Sequence, residues 1–246
     1  MGKRRTMVLG YPIDLMTYND ALEYVVNSDD FVQIVTINPE MIEMAQKNNK
    51  FSVILKEADL VVPDGVGVKL ALKFRNVNQE QIAGCEFAKS IIEKASQKGE
   101  SVAFLGAKQE VLDLACKKLK EEFKNLIISY KRNGYFSEEE ENQIIEEIKQ
   151  SGAKYLFAAL GSPKQEFFIK KCKEKNCNLR AIGVGGSFDV WSGITQRAPK
   201  IWQKMGLEWL YRTLKQPERF KRIFPTLPMF LFKVIITSKS ECEKQF

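Results

Sequence analysis

The feature that most limits the fold is an alternation of short apolar runs, rich in β-branched residues, with amphipathic segments. The segments between the runs are rich in Lys and Glu and repeat apolar residues at i, i+3 and i+4, which is typical of helices. Runs that are apolar almost throughout indicate strands buried on both faces. The pattern therefore predicts an α/β fold, with a mostly parallel, doubly wound sheet and helices on both faces. The apolar runs span residues 31–37, 59–63, 101–106, 125–130, 154–161 and 179–186.

The pattern changes after Gly193, where helical segments follow one another without a strand. We therefore predict a core over residues 1–195 and a helical appendage over residues 196–246. With 44% apolar residues, the chain has enough apolar side chains to fill the core of a large domain.

The longest apolar stretch of the chain is too short to cross a membrane. It covers residues 223–237 and is interrupted by Pro225, Pro228 and Lys233, whereas a spanning helix needs about 20 apolar residues. Such a segment can lie on a membrane surface. The start of the chain turns polar after a few apolar residues, which argues against a signal peptide, and five cysteines at scattered spacings favour reduced thiols. These features predict a cytoplasmic protein.

Positive charge is concentrated in one segment near the end of the chain. Residues 197–233 carry nine Lys or Arg and two Asp or Glu, and this net +7 equals the formal charge of the whole chain. The rest of the chain is therefore close to neutral. A surface charged on one segment indicates an anionic partner, which could be phosphate, nucleic acid or anionic lipid.

Arginines and aromatic residues are interspersed in this basic segment. In a helix, Arg212, Arg219 and Arg222 would share one face, although Pro217 must break or restart that helix. A solvated cationic face over an aromatic stripe would explain the pattern without a function. The excess of charge and the adjoining apolar stretch instead favour a helix that lies in a lipid interface. The aromatic residues are Trp209, Tyr211, Phe220 and Phe224.

Several kinds of chemistry are excluded by the residues that the sequence lacks. The chain has no histidine, so Ser-His-Asp or Cys-His catalysis and His-ligated metals are excluded. It also has no Walker A motif, no Cys-x-x-Cys and no dinucleotide-binding glycine pattern. Because Asp-x-Asp is missing too, a bound diphosphate would be neutralised by arginines or backbone amides.

Candidate site residues lie in the loops that follow the predicted strands, since ligands of open α/β sheets bind at the carboxyl edge. Asp64 follows one of these strands and precedes Gly65 and Gly67, which allow a ligand to approach the backbone. A carboxylate in this position is well placed to act as a general base. The same position also suits an aspartate that caps the following helix. The residues alone favour neither role over the other.

The loop "TINPE" follows another predicted strand and offers Thr36 and Asn38. Asn38 as N-cap with Pro39 at the first helical position is a good helix start, so capping explains Asn38. Capping does not explain Thr36. Its hydroxyl either contacts a ligand at the strand tip or belongs to a strand residue that faces solvent.

The loop "LGSPKQE" shows the same pattern of a helix start. Ser162 is predicted to cap this helix, with Pro163 at its first position and Gln165 and Glu166 in its first turn, as in a capping box. Capping is the favoured interpretation here. A free helix N-terminus at the carboxyl edge is also a phosphate or sugar site, provided that other strand ends converge on it.

The loop "GVGGSFDVWSG" is rich in glycine, and Gly185 and Gly186 allow close approach of a ligand. Asp189 can accept hydrogen bonds from a ribose or a base. Phe188 or Trp191 could stack on a base, but for each of them a place in the core is the favoured interpretation.

Five motifs, in order and over nearly the whole chain, resemble the WecG/TagA/CpsF glycosyltransferases, glycosyltransferase family 26. They are "TINPEM", "ADLVVPDGVGV", "LGSPKQE", "GVGGSFDVWSG" followed by "RAP", and "GLEWLYRTLKQPERFKR". Within the family the chain looks most like the teichoic acid enzymes. These move N-acetylmannosamine from UDP to the 4-hydroxyl of undecaprenyl-diphospho-N-acetylglucosamine, with inversion and without a metal. The resemblance implies a Rossmann-like core of the GT-E type and a mobile appendage that docks over the active site at the membrane.

The resemblance also implies roles for single residues. Asp64 looks like the base that deprotonates the acceptor hydroxyl, and Thr36 and Gln165 would line the sugar and acceptor pocket beside Asn38. The loop with Gly185, Gly186 and Asp189 would hold the uridine. The diphosphates would be bound by Arg212, Arg219 and Arg222.

The partners implied by the resemblance are a UDP-sugar donor, an undecaprenyl-diphosphate-linked acceptor and the inner face of the cytoplasmic membrane. No cofactor, metal or nucleic acid is expected, and the chain could form a homo-oligomer when off the membrane. Relatives transfer other hexoses or N-acetylmannosaminuronic acid, which is one alternative. A non-enzymatic protein that binds nucleic acid or membrane is a more remote one, and thermal stabilisation by UDP would separate the transferase from it.

Overall fold

The structure is a computed structural model that describes residues 4–196, 198, 199, 202, 210, 211, 214 and 220–243. Its strands are β1 Arg5–Val8, β2 Tyr11–Asp14, β3 Val32–Ile37, β4 Leu60–Pro63, β5 Ser101–Gly106, β6 Ile127–Arg132, β7 Tyr155–Ala159 and β8 Arg180–Gly183. Its helices are α1 Tyr18–Val26, α2 Pro39–Lys47, α3 Asn49–Glu57, α4 Gly65–Phe74, α5 Gly84–Lys98, α6 Gln109–Glu122, α7 Glu138–Gln150, α8 Lys164–Glu174, α9 Ser187–Trp191 and α10 Phe220–Glu243.

Six of the strands form one parallel sheet in the order β4-β3-β8-β7-β5-β6. These are the six strands predicted from the apolar runs. Five of them, β3, β4, β5, β7 and β8, are almost entirely buried, because helices cover both faces of the sheet. The predicted Rossmann-like α/β fold is confirmed.

The sheet separates two helical layers. Helices α1, α5, α6 and α9 pack on one face, in a cluster that includes Ile34, Val62, Phe104 and Phe157 of the strands. The other face is covered by α2, α3, α4, α7, α8 and α10, which share two clusters with the alternate strand residues. Because successive strand side chains point to opposite faces, each buried strand contributes to both layers.

A short antiparallel hairpin, β1-β2, was not predicted from the sequence. Asp14 at its end is fully buried and accepts hydrogen bonds from Arg5 Nε at 2.6 Å and from the Val61 backbone N–H at 2.8 Å. A buried carboxylate requires such partners, since its charge has lost its hydration. The ion pair therefore links β1 to β2, and the bond from Val61 fixes the hairpin against β4.

Helix α10 is continuous through Pro225 and Pro228, which were expected to interrupt the apolar stretch. A proline inside a helix removes one backbone hydrogen bond, and burial of Phe230 and Val234 in the core offsets this loss. Lys233 Nζ donates to both carboxylate oxygens of Glu43 on α2, at 2.8 and 2.7 Å. Lys233, counted above in the basic segment, thus holds α10 on the core instead of facing an outside partner.

In the part of the chain that the structure describes, no helix has the length and apolar character needed to cross a membrane.

Candidate active site

Thr36 and Asp64 lie at the carboxyl ends of the neighbouring strands β3 and β4. Thr36 pairs in register with Val62, and the backbone N–H of Asp64 donates to the Ile37 carbonyl at 2.8 Å. Asp64 has extended backbone angles, φ −107° and ψ 141°, so the strand alternation continues through it. Thr36 and Asp64 therefore share the face of the sheet that carries α5.

Thr36 does not face open solvent. It is half-buried, and a Cβ added at Gly84, the first residue of α5, would lie 2.8 Å from Thr36 Oγ1 and 3.1 Å from its Cβ. A glycine is needed at position 84 because any side chain there would collide with Thr36. The Thr36 side chain is thus held between the strand tip and the start of α5.

The two helix starts at this edge differ in how they are capped. Asn38 is the N-cap of α2, and its side-chain oxygen accepts from the Met41 N–H at 3.0 Å, as the sequence predicted. Asp64 occupies the N-cap position of α4, but its side chain makes no capping hydrogen bond. The Asp64 side chain therefore does not cap α4, in contrast to the capping role that its sequence position also allowed.

Gln165 connects α8 to the glycine loop that follows β8. The side chain is 5% exposed, and its Oε1 accepts from the Gly185 N–H at 3.1 Å. A Cβ at Gly183 would lie 2.6 Å from Gln165 Cδ, so only glycine allows this approach. Gly185 has a φ of +49°, in the left-handed region. Gly183 therefore allows the close approach of Gln165, and Gly185 allows the turn. Gln165 contacts both glycines.

Glu166 is buried beside Gln165, with its side chain in a polar but enclosed position. Its Oε1 accepts from Gln165 Nε2 at 2.8 Å, and Gln33 Nε2 on β3 donates to its backbone carbonyl at 3.3 Å. Burial raises the pKa of Glu166 above its ordinary value, and the Gln165 amide and the nearby Ser162 hydroxyl oppose this only in part. Among the described residues, no hydrogen bond is formed by Glu166 Oε2 or Ser162 Oγ.

The predicted cap of α8 was wrong. The helix begins at Lys164, so Pro163 takes the N-cap position, and no side chain caps the helix. Ser162 therefore lies one residue too early to cap, and Glu166 is drawn into the interior instead of closing a capping box. The helical spacing of Phe168, Ile169 and Cys172, all buried, could have revealed this, because Gln165 and Glu166 precede them by one turn on the same face.

The aromatic residues of the glycine-rich loop belong to the core. Phe188 and Trp191 are buried, and the Phe188 ring meets Phe104 at 5.5 Å in an edge-to-face contact. The core interpretation, favoured from the sequence, is confirmed. Asp189 lies in the first turn of α9 and is half-buried, next to Gly186, the N-cap of that helix.

Helix α10 reaches the rim of this site. A Cβ added at Gly67, in the first turn of α4, would lie 2.5 Å from Pro39 Cγ and 2.8 Å from Leu227 Cδ1 of α10. Leu227, in the first half of α10, therefore packs close to the starts of α2 and α4, the helices that follow β3 and β4. Arg222 lies on this helix and N-terminal to Leu227, in a part for which only the backbone is described. Arg212 and Arg219 lie outside the described residues.

The fold therefore brings most of the predicted residues to one edge. Thr36, Asn38 and Asp64 form one group on β3 and β4, and Gln165 and Gly185 form another beside the adjacent β8. This edge offers a carboxylate, hydroxyl and amide groups, and a glycine loop with room for a ligand. The described residues contain no cluster of three or more acidic or cysteine side chains that could hold a metal ion.

A known protein family matches this chain. The sequence model described as "Glycosyl transferase WecG/TagA/CpsF family" matches residues 6–243, nearly the whole chain.

Proposed function

The chain belongs to the glycosyl transferase WecG/TagA/CpsF family, and we propose that it transfers N-acetylmannosamine from UDP to the 4-hydroxyl of undecaprenyl-diphospho-N-acetylglucosamine. Membership makes the protein a UDP-sugar glycosyltransferase of polysaccharide or cell wall synthesis. The finer assignment, close to the teichoic acid enzyme TagA, is supported by the order and content of the five motifs named above.

The observation that carries the proposal is the placement of Asp64. Its carboxylate ends a buried strand, shares a sheet face with Thr36, and makes no capping bond to the helix that follows. A general base must have lone pairs within reach of the substrate proton.

Transfer then follows as a single displacement. Asp64 takes the proton of the acceptor 4-hydroxyl, and that oxygen forms a bond to the anomeric carbon of the donor sugar. The bond from that carbon to the β-phosphate oxygen breaks, and UDP leaves with the electron pair. Attack opposite to the leaving group inverts the anomeric centre.

The departing diphosphate needs positive charge, and this chain supplies it without a metal in our proposal. Arg212, Arg219 and Arg222 belong to the basic segment, and the helix that carries Arg222 packs at the rim of the site. Fixed cations aimed at developing charge are among the largest contributions to catalysis. Thr36, Asn38 and Gln165 would contact the sugars, and Gly185, Gly186 and Asp189 the uridine.

The appendage that we predict over residues 196–246 would work at the membrane, on its inner face. The apolar face of α10 that points away from the core exposes Met229, Phe232 and Ile236. A helix with this character can rest in a lipid interface, where a polyprenyl acceptor resides. The protein would then be peripheral, with the lipid-linked sugar delivered to the edge that holds Asp64.

The test of the base is Asp64→Asn, which keeps the size of the side chain and removes its basicity. We expect turnover to fall about 10²–10⁴-fold, while UDP still raises the melting temperature as it does in the wild type. Asp113→Asn on α6 is the control, since Asp113 is exposed and bonded to Lys131 away from the site. Wild-type turnover in Asp64→Asn would rule out the base role.

The donor sugar is tested separately with a panel of UDP-sugars and an undecaprenyl-diphospho-N-acetylglucosamine analogue. We expect UDP-N-acetylmannosamine to give the highest kcat/KM. Preference for another UDP-hexose or for the uronic acid would keep the mechanism and replace the substrate. Absence of UDP binding would instead favour a non-enzymatic protein that binds nucleic acid or membrane.

A further inference from the structure

Glu166 stands out because no step of the proposed reaction uses it. It is only 3% exposed, although it lies at the edge of the sheet that holds the candidate site. Burying a carboxyl group is unfavourable unless its polar atoms are matched. The neighbours that it does contact are therefore informative about its role.

The Glu166 side chain bonds to one site residue and, through it, to the glycine loop. Gln165 Nε2 donates to Glu166 Oε1 at 2.8 Å, and the Gly185 N–H donates to Gln165 Oε1 at 3.1 Å. The Gln165 amide is thus bonded on both sides. Each of its ends has a partner of the required kind, a carboxyl oxygen for the NH2 group and an N–H group for the carbonyl oxygen.

This arrangement fixes which way the Gln165 amide points. Rotated by 180°, the amide would place its oxygen against Glu166 Oε1 and its NH2 group against the Gly185 N–H. Both contacts would then be repulsive, an acceptor against an acceptor and a donor against a donor. Without Glu166, only the Gly185 bond would choose between the two orientations.

We infer that Glu166 is a positioning residue, which holds the Gln165 amide and, through it, the Gly185 turn in the shape that receives the donor nucleotide. The inference rests on the proposed function, in which this turn binds uridine. A turn already in its binding shape spares the ligand the free energy of ordering it. Glu166 would therefore act on donor binding, while Asp64 acts on the transfer step.

A second residue holds Glu166 itself in place. Gln33 on β3 is buried and donates to the Glu166 backbone carbonyl at 3.3 Å, which ties the first turn of α8 to the strand that carries Thr36 and precedes Asn38. The two groups of site residues are thus joined through Glu166. The bond from Gln33 uses the Glu166 backbone, and the Glu166 side chain provides the bond to Gln165.

The experiment compares Glu166→Gln with Glu166→Leu. Glutamine retains an oxygen that accepts from Gln165 Nε2, whereas leucine fills the space without an acceptor. We expect about a tenfold rise in the donor KM for Glu166→Leu with kcat within about twofold, and near wild-type values for Glu166→Gln. Hydrogen exchange at the Gly185 amide, followed by NMR, should speed up in Glu166→Leu alone.

A mutant cycle with Gln165→Ala tests whether Glu166 acts through its neighbour. If it does, adding Glu166→Leu to Gln165→Ala should raise the donor KM no further, since the effects of coupled residues do not add. If Glu166→Leu does not fold, Glu166→Ala is used instead. The exchange rate of the Gly185 amide is then also measured in Gln165→Ala. Glu141→Gln, which alters another buried glutamate, bonded to Lys171, is the control.

The outcomes separate this inference from the proposed function. Unchanged donor KM or unchanged Gly185 exchange in Glu166→Leu, in an enzyme that transfers the sugar, overturns the positioning role and leaves the function intact. Equal loss in Glu166→Gln and Glu166→Leu also overturns it. If the wild type binds no UDP-sugar, the proposed function fails, and with it the donor-binding role, while Gly185 exchange still reports whether the contact chain exists.

Discussion

At the scale of single residues, the site is built from side chains whose hydrogen bonds differ although their positions are alike. Asn38 and Asp64 both follow a buried strand and both begin a helix, yet only Asn38 caps its helix. The asparagine thus secures the start of α2, and in the proposed function the aspartate acts as the base. Glu166 is a third variant, a carboxyl group withdrawn from solvent and bonded to an amide.

Glu166 also leads to a pH prediction for stability. Its pKa in the folded protein is raised from the ordinary 4.5, mainly because burial disfavours the charged form. The folded state therefore binds the proton more tightly than the unfolded state does. The free energy of unfolding should therefore fall as the pH rises from 4.5 through the raised pKa of Glu166. The stabilisation that this group contributes is fully present below pH 4.5 and is lost above the raised pKa.

The measurement is urea unfolding of the wild type and Glu166→Gln over this pH range. Glutamine does not ionise, so the difference in unfolding free energy between the two proteins should shift in favour of Glu166→Gln as pH rises. The groups that face Glu166 are the Gln165 and Gln33 amides and the Ser162 hydroxyl, none of which titrates there. Parallel pH profiles would contradict the raised pKa.

At the scale of elements, the strands and most helices could be predicted because each is defined by its own local pattern. Strands that are buried on both faces consist of apolar runs in the sequence. Asn38 followed by Pro39 is a local signal for the start of a helix. The hairpin β1-β2 could not be found in this way. Its strands have only four residues each, and Asp14 secures the hairpin by bonding to Arg5 and to Val61 of β4, which lies 47 residues further along the chain.

The same limit applies to the candidate site. The strand-end loops were identified as such, since their position follows from the sheet. The bond from Gly185 to Gln165 and the fit of Thr36 against Gly84 join segments about twenty and fifty residues apart, and no local pattern reports such contacts. The capping box expected for α8 failed because the Glu166 side chain is buried and bonds to the Gln165 amide instead of reaching back to the start of the helix.

Helix α10 offers a matched pair of phenylalanines for a test at this scale. Phe230 is 0% exposed in the core and Phe232 is 65% exposed on the opposite face of the same helix. Phe230→Ala should lower the free energy of unfolding by about 3–5 kcal/mol, because it leaves a cavity. Phe232→Ala should change it by less than about 0.5 kcal/mol, as measured by urea unfolding. Equal losses would mean that α10 does not dock as described.

At the scale of the whole molecule, α10 belongs to the core as much as to the basic segment. Phe230 and Val234 fill the cluster beneath α2 and α4, and Lys233 is paired with Glu43. Removing residues 197–246 would therefore uncover the core as well as remove the arginines. A truncated protein that lost transfer would not by itself identify a lid, and point variants on the exposed face are the better probe.

Association with membranes is the prediction that belongs to the molecule as a whole. The net positive charge lies in residues 197–233, a segment that overlaps α10 in sequence, and α10 exposes apolar side chains, so both attraction to anionic lipid and apolar insertion are available. Co-sedimentation should show stronger binding to anionic than to neutral vesicles. This binding should weaken as salt is raised from about 0.05 to about 0.5 M.

Phe232→Ala is expected to reduce this binding without loss of stability, with Leu114→Ala, an exposed apolar residue on α6, as the control. Binding that is equal for both vesicle types and insensitive to salt would argue against an electrostatic attachment. Binding unaffected by Phe232→Ala would argue against insertion of α10.

The order of strands in the sheet has a consequence for how the protein is made. The pairs β3-β4 and β5-β6 are synthesised early, but β7 and β8, which lie between them in the sheet, follow later in the chain. A growing chain therefore holds two separate halves with open edges until residue 183 has left the ribosome. The edge that holds the candidate site draws on both β3 and β8, so it can be completed only after β8 has been synthesised, and every shorter nascent chain lacks it.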